Sequence, residues 1–210
     1  MLAPHRPVRF QLALAWAASA ILMTWAPGAP AQTTAPTATP ASAAPALNLV
    51  AAQSEVGFVV RQLGVPLNGR FQRFAAQGRF DPRAPQAGQI AFDVELGSVS
   101  LNPDADVELP KPEWFHTARF PKASFQSTRI TATGPGRFDV AGRLTIKGLS
   151  RDLVVPVQLA QAQGLSTVTG TATLRRLDFK IGDGEWTDTS IVANDVQVRI
   201  KLVFRGMPPL

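Results

Sequence analysis

The chain contains no cysteine and no tyrosine, and its only histidines are His5 and His116. Without cysteine it can form no disulfide, no Cys-His catalytic pair and no zinc site of several Cys and His ligands. A Ser-His-acid triad would depend on His116, which follows Trp114-Phe115 and belongs to no nucleophile elbow. We therefore interpret His116 as a loop residue.

Charged residues are also sparse. The chain has 21 Lys and Arg against 15 Asp and Glu, a formal net charge of +6. These charges are interspersed along the sequence, and no basic run is interleaved with aromatic residues. The sequence therefore predicts no nucleic-acid partner.

Two short groups of carboxylates are the remaining candidates for chemistry. The first consists of Asp104, Asp106 and Glu108, and the second of Asp183, Glu185 and Asp188. The first group has the alternate spacing of a calcium loop, but it lacks a glycine at the turn position. We predict solvated acidic loops, no metal site and no enzyme. A carboxylate-dependent hydrolase stays as an alternative, because sequence does not give the separation of carboxylates in space.

The N-terminal residues have the pattern of an export signal. Arg6 and Arg9 precede a 17-residue apolar run at 10–26, and Ala29-Pro30-Ala31 has the small-x-small pattern that signal peptidase accepts. We predict that residues 1–31 are a signal peptide and that the protein is periplasmic. The apolar run is also just long enough to span a bilayer, so an uncleaved anchor stays as the alternative.

A linker and a single domain follow the signal. Residues 32–45 carry no charge and no large apolar side chain, so we predict a disordered Ala/Pro/Thr linker. Residues 46–206 are long enough to form one domain with its own core.

Alternation of apolar and polar residues dominates this domain. Near the C-terminus, Val196, Val198, Ile200, Leu202 and Phe204 alternate with polar residues, which places them on one face of a strand. Comparable runs lie at 56–60, 71–80, 90–96, 123–131, 138–146, 152–159, 168–179 and 193–204. About eight antiparallel strands with one apolar face each must stack as two sheets or close into a barrel.

One long segment breaks the pattern. Residues 102–121 contain four prolines, which exclude a central strand. We predict one helical turn at 113–116, directly after Pro112, carrying Trp114-Phe115 as an aromatic plug.

Short motifs recur in a fixed order along the domain. They are Ser54-x-Val56-x-Phe58, Gly69-x-Phe71-x-x-Phe74, Phe80-Asp81-Pro82, Trp114-Phe115, Phe120-Pro121-x-Ala123-x-Phe125-x-Ser127, Val140-x-Gly142-x-Leu144-Thr145-Ile146-Lys147-Gly148, Val155-Pro156-Val157, Arg175 to Gly182 and Val192-x-Asn194-x-Val196-x-Val198. Each motif alone is weak, but the ordered set over residues 47–204 resembles the YceI-like family of exported, lipocalin-like proteins that bind polyisoprenoids.

This resemblance implies an all-β, eight-stranded antiparallel lipocalin-like barrel with a short helical lid and a long apolar cavity. It also implies that the protein sequesters or carries a polyisoprenoid or an isoprenoid-quinone-type amphiphile. The bound lipid would be the only small molecule, with no other cofactor. A transient membrane contact and a homodimer are further expectations. Where many relatives have a basic-histidine pair, this chain has Arg61-Gln62, so contacts to the lipid head are not carried over.

Ten residues are predicted to contact the ligand. They are Phe58, Phe71, Phe92, Val94, Trp114, Phe115, Phe125, Leu144, Ile146 and Trp186. Those on strands can equally be plain core, and the aromatic residues in the irregular segments can instead plug a barrel end. Arg61, Arg175 and Asn194 are candidates for binding the head group. A structural or partner-binding barrel with a filled core stays as the alternative function.

Overall fold

The computed structural model describes residues 46–210. The predicted signal peptide and the whole predicted linker, residues 32–45, lie outside the described residues. One antiparallel sheet contains β1 (Asn48–Leu49), β2 (Glu55–Gln62), β3 (Val65–Phe71), β4 (Phe74–Arg79), β5 (Gln89–Glu95), β6 (Val99–Ser100), β7 (Lys122–Gly134), β8 (Arg137–Ile146), β9 (Leu149–Ala162), β10 (Leu165–Arg175) and β11 (Asp195–Arg205). A single α-helix of the described part, α1, spans Pro103–Glu108.

These eleven segments correspond to eight strands of a barrel, because three of the strands each consist of two segments separated by a bend. The bends separate β1 from β2, β3 from β4, and β5 from β6. The ladders run β2–β3, β4–β5, β5–β7, β7–β8, β8–β9, β9–β10, β10–β11 and β11–β2. An Ala46–Arg79 bridge and the β1–β11 pairing complete the ring at one end. The predicted all-β, antiparallel, lipocalin-like fold is therefore confirmed. The strand count differs from the predicted eight unbroken strands, because the sheet consists of eleven segments, and the β9–β10 ladder joins only residues 157–162 to 165–170.

Serine hydroxyls hold two of the bends by bonding the backbone groups that the ladder leaves unpaired. Ser54 Oγ donates to Val50 O (2.9 Å) and accepts from Val203 N (2.9 Å), which fixes β1 and β2 against β11. The buried Ser98 Oγ donates to Glu95 O (2.7 Å) and accepts from Arg73 N (3.0 Å). It thereby joins the β5–β6 bend to the β3–β4 bend.

The helical lid lies earlier in the chain than predicted. The helix is α1, whereas 113–116 forms an irregular turn, so the predicted position was wrong. Asn102 accepts a hydrogen bond from Ala105 N as the N-cap, and Pro103 occupies the first helical turn, where it needs no N–H partner. The strand predicted at 168–179 begins and ends earlier in the structure, because β10 spans Leu165–Arg175 and a 3₁₀ turn follows it.

Inward-facing apolar residues form two clusters along the barrel axis. The lid-end cluster includes Phe58, Leu109, Phe115 and Ile146, and the far-end cluster includes Phe80 and Phe138, whose rings meet edge to face at 5.3 Å. Among the described residues, no helix is both long and apolar enough to cross a bilayer.

Gly69 is required by the ring that lies across it. A Cβ added to Gly69 would come within 2.6 Å of Phe58 Cε1, its cross-strand partner, and Gly142 lies against the Phe125 ring in the same way. The two glycines therefore let the two phenylalanines lie along the inner wall instead of projecting across the interior.

We expect Gly69→Ala to lower the free energy of unfolding by about 1–3 kcal/mol, because the Phe58 ring must leave its rotamer. Gly97→Ala is the control, since no atom lies within 4 Å of a Cβ added there. Urea denaturation measures both variants. In a Phe58→Leu background the Gly69→Ala penalty should shrink; an undiminished penalty would show that the ring is not its cause.

Candidate ligand-binding cavity

The interior of the barrel contains a cavity of about 530 Å³. This volume lies within the range of sites that hold small ligands. The lining is almost wholly aliphatic and aromatic. Its polar members are Gln62, Asn102, Asp104, Glu108, Ser124 and Arg176.

The ten predicted ligand-contacting residues all lie in the wall of this cavity. Several inward side chains, including Phe71, Phe92 and Phe125, are only partly buried although they point away from solvent. Their remaining accessible surface faces the cavity, so the interior is hollow rather than filled by side chains. This geometry argues against the filled-core alternative, while contact of the ten residues with a ligand stays a prediction.

The cavity reaches the surface at the lid end. Gln62, at the end of β2, and Asp104, in α1, are both exposed and both belong to the lining. Among the described residues, no hydrogen bond joins α1 to the β2–β3 hairpin. The mouth therefore lies between the hairpin and the helix, where the two elements are not tied to each other.

The irregular segment that follows α1 is hydrogen-bonded to the segment that precedes β11. Glu113 O accepts hydrogen bonds from Gly182 N (2.8 Å) and Asp183 N (2.9 Å). Lys147 Nζ donates to Pro112 O (3.0 Å) and Lys180 O (2.6 Å), and burial lowers its pKa despite the carboxylates nearby. One side of the mouth is thus a fixed wall.

Two tryptophans pack together in this wall. The Trp114 and Trp186 ring centroids are 5.4 Å apart. Trp114 Nε1 is buried, and no protein group within the described residues accepts its hydrogen. A buried donor without an acceptor costs about 1–3 kcal/mol, so this contact is less stable than its packing implies.

Arg176 is the most unusual residue of the site. Its side chain lines the cavity and is only 2% exposed. All five N–H groups of the guanidinium donate to backbone carbonyls. Nε donates to Ala193 O (3.1 Å), Nη1 to Ile181 O (2.9 Å) and Gly182 O (3.0 Å), and Nη2 to Trp186 O (2.6 Å) and Val192 O (2.7 Å).

This arrangement makes Arg176 an organiser of residues 181–193, which form the fixed wall. None of the ion pairs in the described residues includes Arg176, and burial lowers its pKa. Because every donor is already engaged with a carbonyl, the guanidinium has none left for an anionic ligand group. The residue was missed because a pair of arginines, Arg175 and Arg176, has the pattern of surface charge. The signal that could have found it is strand phase, since Leu174 and Arg176 share the inward side.

The three residues predicted to bind the head group do not line the cavity. Arg61 Nη1 donates to Gly64 O (3.2 Å) on the hairpin, and Arg175 is exposed on the outer face. Asn194 Oδ1 accepts from Leu177 N (3.1 Å) and so supports the backbone near Arg176.

The acidic groups have structural roles. Asp106 Oδ1 accepts from Leu101 N (2.6 Å), whereas Asp104 and Glu108 lie on the cavity side of α1. Asp188 accepts hydrogen bonds from Ser190, which lower its pKa. No group of three potential metal ligands occurs within residues 46–210. His116 has a positive φ of 50° and packs edge to face on Phe120.

The sequence matches the YceI-like domain over residues 47–204. The chain belongs to the YceI-like family. Among curated relatives, a UPF0312 protein of Azotobacter vinelandii strain DJ is 29% identical over 90 residues, 42% of this chain and 47% of that protein. The chain thus spans about half of that relative. A UPF0312 protein of Pseudomonas aeruginosa strain LESB58 is 29% identical over 131 residues, 58% of this chain and 68% of that protein.

Solved YceI-like structures have the same fold. Burkholderia cenocepacia BcnA is 36% identical, with a TM-score of 0.72 over 74% of this chain and 99% of that chain. A polyisoprenoid binding domain from Saccharophagus degradans is 17% identical, with a TM-score of 0.59 over 77% of this chain and 98% of that chain. The second likeness supports the fold alone, because its sequence identity is low.

We expect Arg176→Lys to lower the free energy of unfolding of this YceI-like domain by about 2–4 kcal/mol. A lysine has three donors for five carbonyls, and each buried carbonyl left unpaired costs about 1–3 kcal/mol. Arg175→Lys is the matched control and should change stability little. Urea denaturation gives the energies, and hydrogen exchange should rise selectively at residues 181–193. Equal effects of the two variants would contradict the assigned role.

Proposed function

We propose that the protein is an exported carrier that shelters one isoprenoid chain in the barrel cavity. The single observation that supports this most directly is the hollow apolar interior, which reaches the surface at the lid end. Each buried CH₂ group contributes about 0.8 kcal/mol, so a five-carbon unit contributes about 4 kcal/mol before ordering costs. An apolar chain can therefore bind with few hydrogen bonds. The polyisoprenoid binding domain among the structural relatives is consistent with this ligand class.

The charges at the mouth favour a neutral head group, as in a prenol or an isoprenoid quinone. Asp104 lies at the opening, belongs to none of the ion pairs among the described residues and would repel a phosphate, whereas Glu108 is paired with Lys111 Nζ. The one cationic lining residue, Arg176, donates all its N–H groups to carbonyls. A prenol should therefore bind more tightly than the prenyl phosphate of the same length.

No catalytic step is part of this proposal. The carboxylates of the second acidic group lie on an exposed segment, and neither Asp183 nor Glu185 nor Asp188 lines the cavity. A hydrolase acting on a cavity-bound substrate would therefore depend on Asp104 and Glu108 of the first group, and Glu108 is paired with Lys111 Nζ. Native mass spectrometry of the periplasmic protein, followed by organic extraction, should identify a bound lipid of low polarity. Protein that carries no lipid and takes none up would contradict the proposal.

Val94→Trp should weaken binding of a fluorescent prenyl probe by about tenfold, because the larger side chain removes cavity volume. Val94 is buried in the cavity wall. Val154→Trp is the matched control, since Val154 is 55% exposed and lies outside the lining. Probe titration measures both variants after their folding has been verified by circular dichroism. Unchanged affinity of a folded Val94→Trp variant would place the chain elsewhere.

Periplasmic location is part of the same proposal and depends on residues outside the described part. Arg6, Arg9 and the apolar run at 10–26 support it. N-terminal sequencing of the protein from the periplasm should begin at Gln32 or close to it. Full-length protein in the membrane fraction would instead support the uncleaved anchor.

A further inference from the structure

Exposed apolar side chains concentrate at the cavity mouth. Of six large exposed hydrophobic residues in the described chain, four lie at the lid end, and we name Leu63, Val65, Val107 and Ile191 the rim patch. Leu63 N donates to Ile191 O (2.8 Å), and Val65 pairs with the lining residue Gln62 across the hairpin. Val107 lies on α1, whose Ala105 and Glu108 line the same cavity. The rim patch therefore flanks the mouth from both sides.

The backbone conformation of Leu63 is also unusual for a leucine. Leu63 is 71% exposed and has a φ of 49°, in the left-handed region that favours Gly, Asn and Asp. Two other hairpin turns have the same residue-Gly form and the same sign of φ, at Lys147-Gly148 and Gln163-Gly164. Both have a polar residue where the mouth hairpin has leucine. Neither backbone preference nor burial within the barrel explains a leucine at this turn.

A lipid bilayer is the occupant that fits this patch. Its side chains stand on separate elements around an opening, and so few of them cannot supply the roughly 800 Å² per partner of a stable protein interface. Apolar side chains that protrude around an opening can instead enter a bilayer interface together, and the strength of such binding scales with the apolar area that leaves water. The patch is apolar and Asp104 borders the opening, so docking does not depend on anionic lipids.

We infer that the rim patch docks the barrel on a bilayer surface with the mouth facing the lipid. Leu63 and Val65 enter the interface on one side of the opening, and Val107 on the other. An isoprenoid chain then passes between bilayer and cavity without crossing water. The purpose of docking rests on the proposed function, but docking itself is measured separately from ligand binding.

The test compares the parent protein with Leu63→Asn in flotation with phosphatidylcholine vesicles. The variant should bind vesicles about tenfold more weakly, because one leucine side chain no longer leaves water. It should also take up a prenyl probe from the vesicles about tenfold more slowly. Its affinity for the same probe added from ethanol should not change. Its stability should be equal or higher, since asparagine tolerates a positive φ. The parent and the variant have the same N-terminus, so a difference in their vesicle binding arises from the rim patch.

Gln163→Leu is the matched control, because it places a leucine in the same type of turn at the opposite end of the barrel. It should not increase vesicle binding, and Val65→Thr should reproduce the effect of Leu63→Asn. Equal vesicle binding by parent and Leu63→Asn would overturn the inference. So would a parent that ignores vesicles but forms a dimer that Leu63→Asn dissociates in sedimentation velocity. A parent that docks but binds no prenyl probe would support docking and contradict the carrier function.

Discussion

A closed ring of backbone hydrogen bonds allows this protein to keep a hollow interior. In most domains the side chains must fill the core, because packing supplies the stability. Here every two neighbouring strands share a ladder, so most backbone groups of the sheet are paired. The exception is the β9–β10 ladder, which joins only residues 157–162 to 165–170 and leaves 149–156 and 171–175 without ladder partners on that side. The bends held by Ser54 and Ser98 let three strands curve enough to close the ring. The cavity is thus a consequence of strand pairing.

The two sides of the mouth have different mechanical properties. On one side Arg176 joins five carbonyls, and Glu113 O joins the lid to residues 182–183, so a displacement would break several hydrogen bonds together. On the other side α1 is a short helix held by its own cap and by Asp106. Elements with few bonds to their surroundings open at low free energy. Any widening of the mouth should therefore involve α1, because the β2–β3 hairpin is bonded to the fixed wall through Leu63 N–Ile191 O and Ala193 N–Arg61 O.

The fold and the inner face of the barrel were predictable because alternation is a local property. Phe92, Val94, Leu144 and Ile146 each lie on the inward side of their strand, and side-chain direction in a strand follows from position alone. The lid helix was also readable, since Asn102-Pro103 is a strong start signal, although the prediction placed the turn after Pro112.

Strand phase indicates that Arg176 faces inward, but its role was not predictable. That role depends on carbonyls from Ile181 to Ala193, which only the folded segment brings around one guanidinium. The prediction of the head-group residues was wrong for the same reason. Arg61, Arg175 and Asn194 are polar and lie near the lid end, but strand phase and backbone hydrogen bonds direct them away from the cavity.

A hollow barrel has a thermodynamic link to its cargo that a filled one lacks. Inner side chains such as Phe92 and Phe125 keep accessible surface in the empty protein and lose it when a chain is bound. Binding therefore stabilises the folded state by an amount set by ligand concentration relative to its dissociation constant. The strand ladders gain little from this, because they form without a ligand. The lid end is held by fewer hydrogen bonds, since no group within residues 46–210 accepts the buried Trp114 N–H and α1 is held by its cap and by Asp106. A chain that fills the cavity adds apolar contacts at this end, which also carries the rim patch.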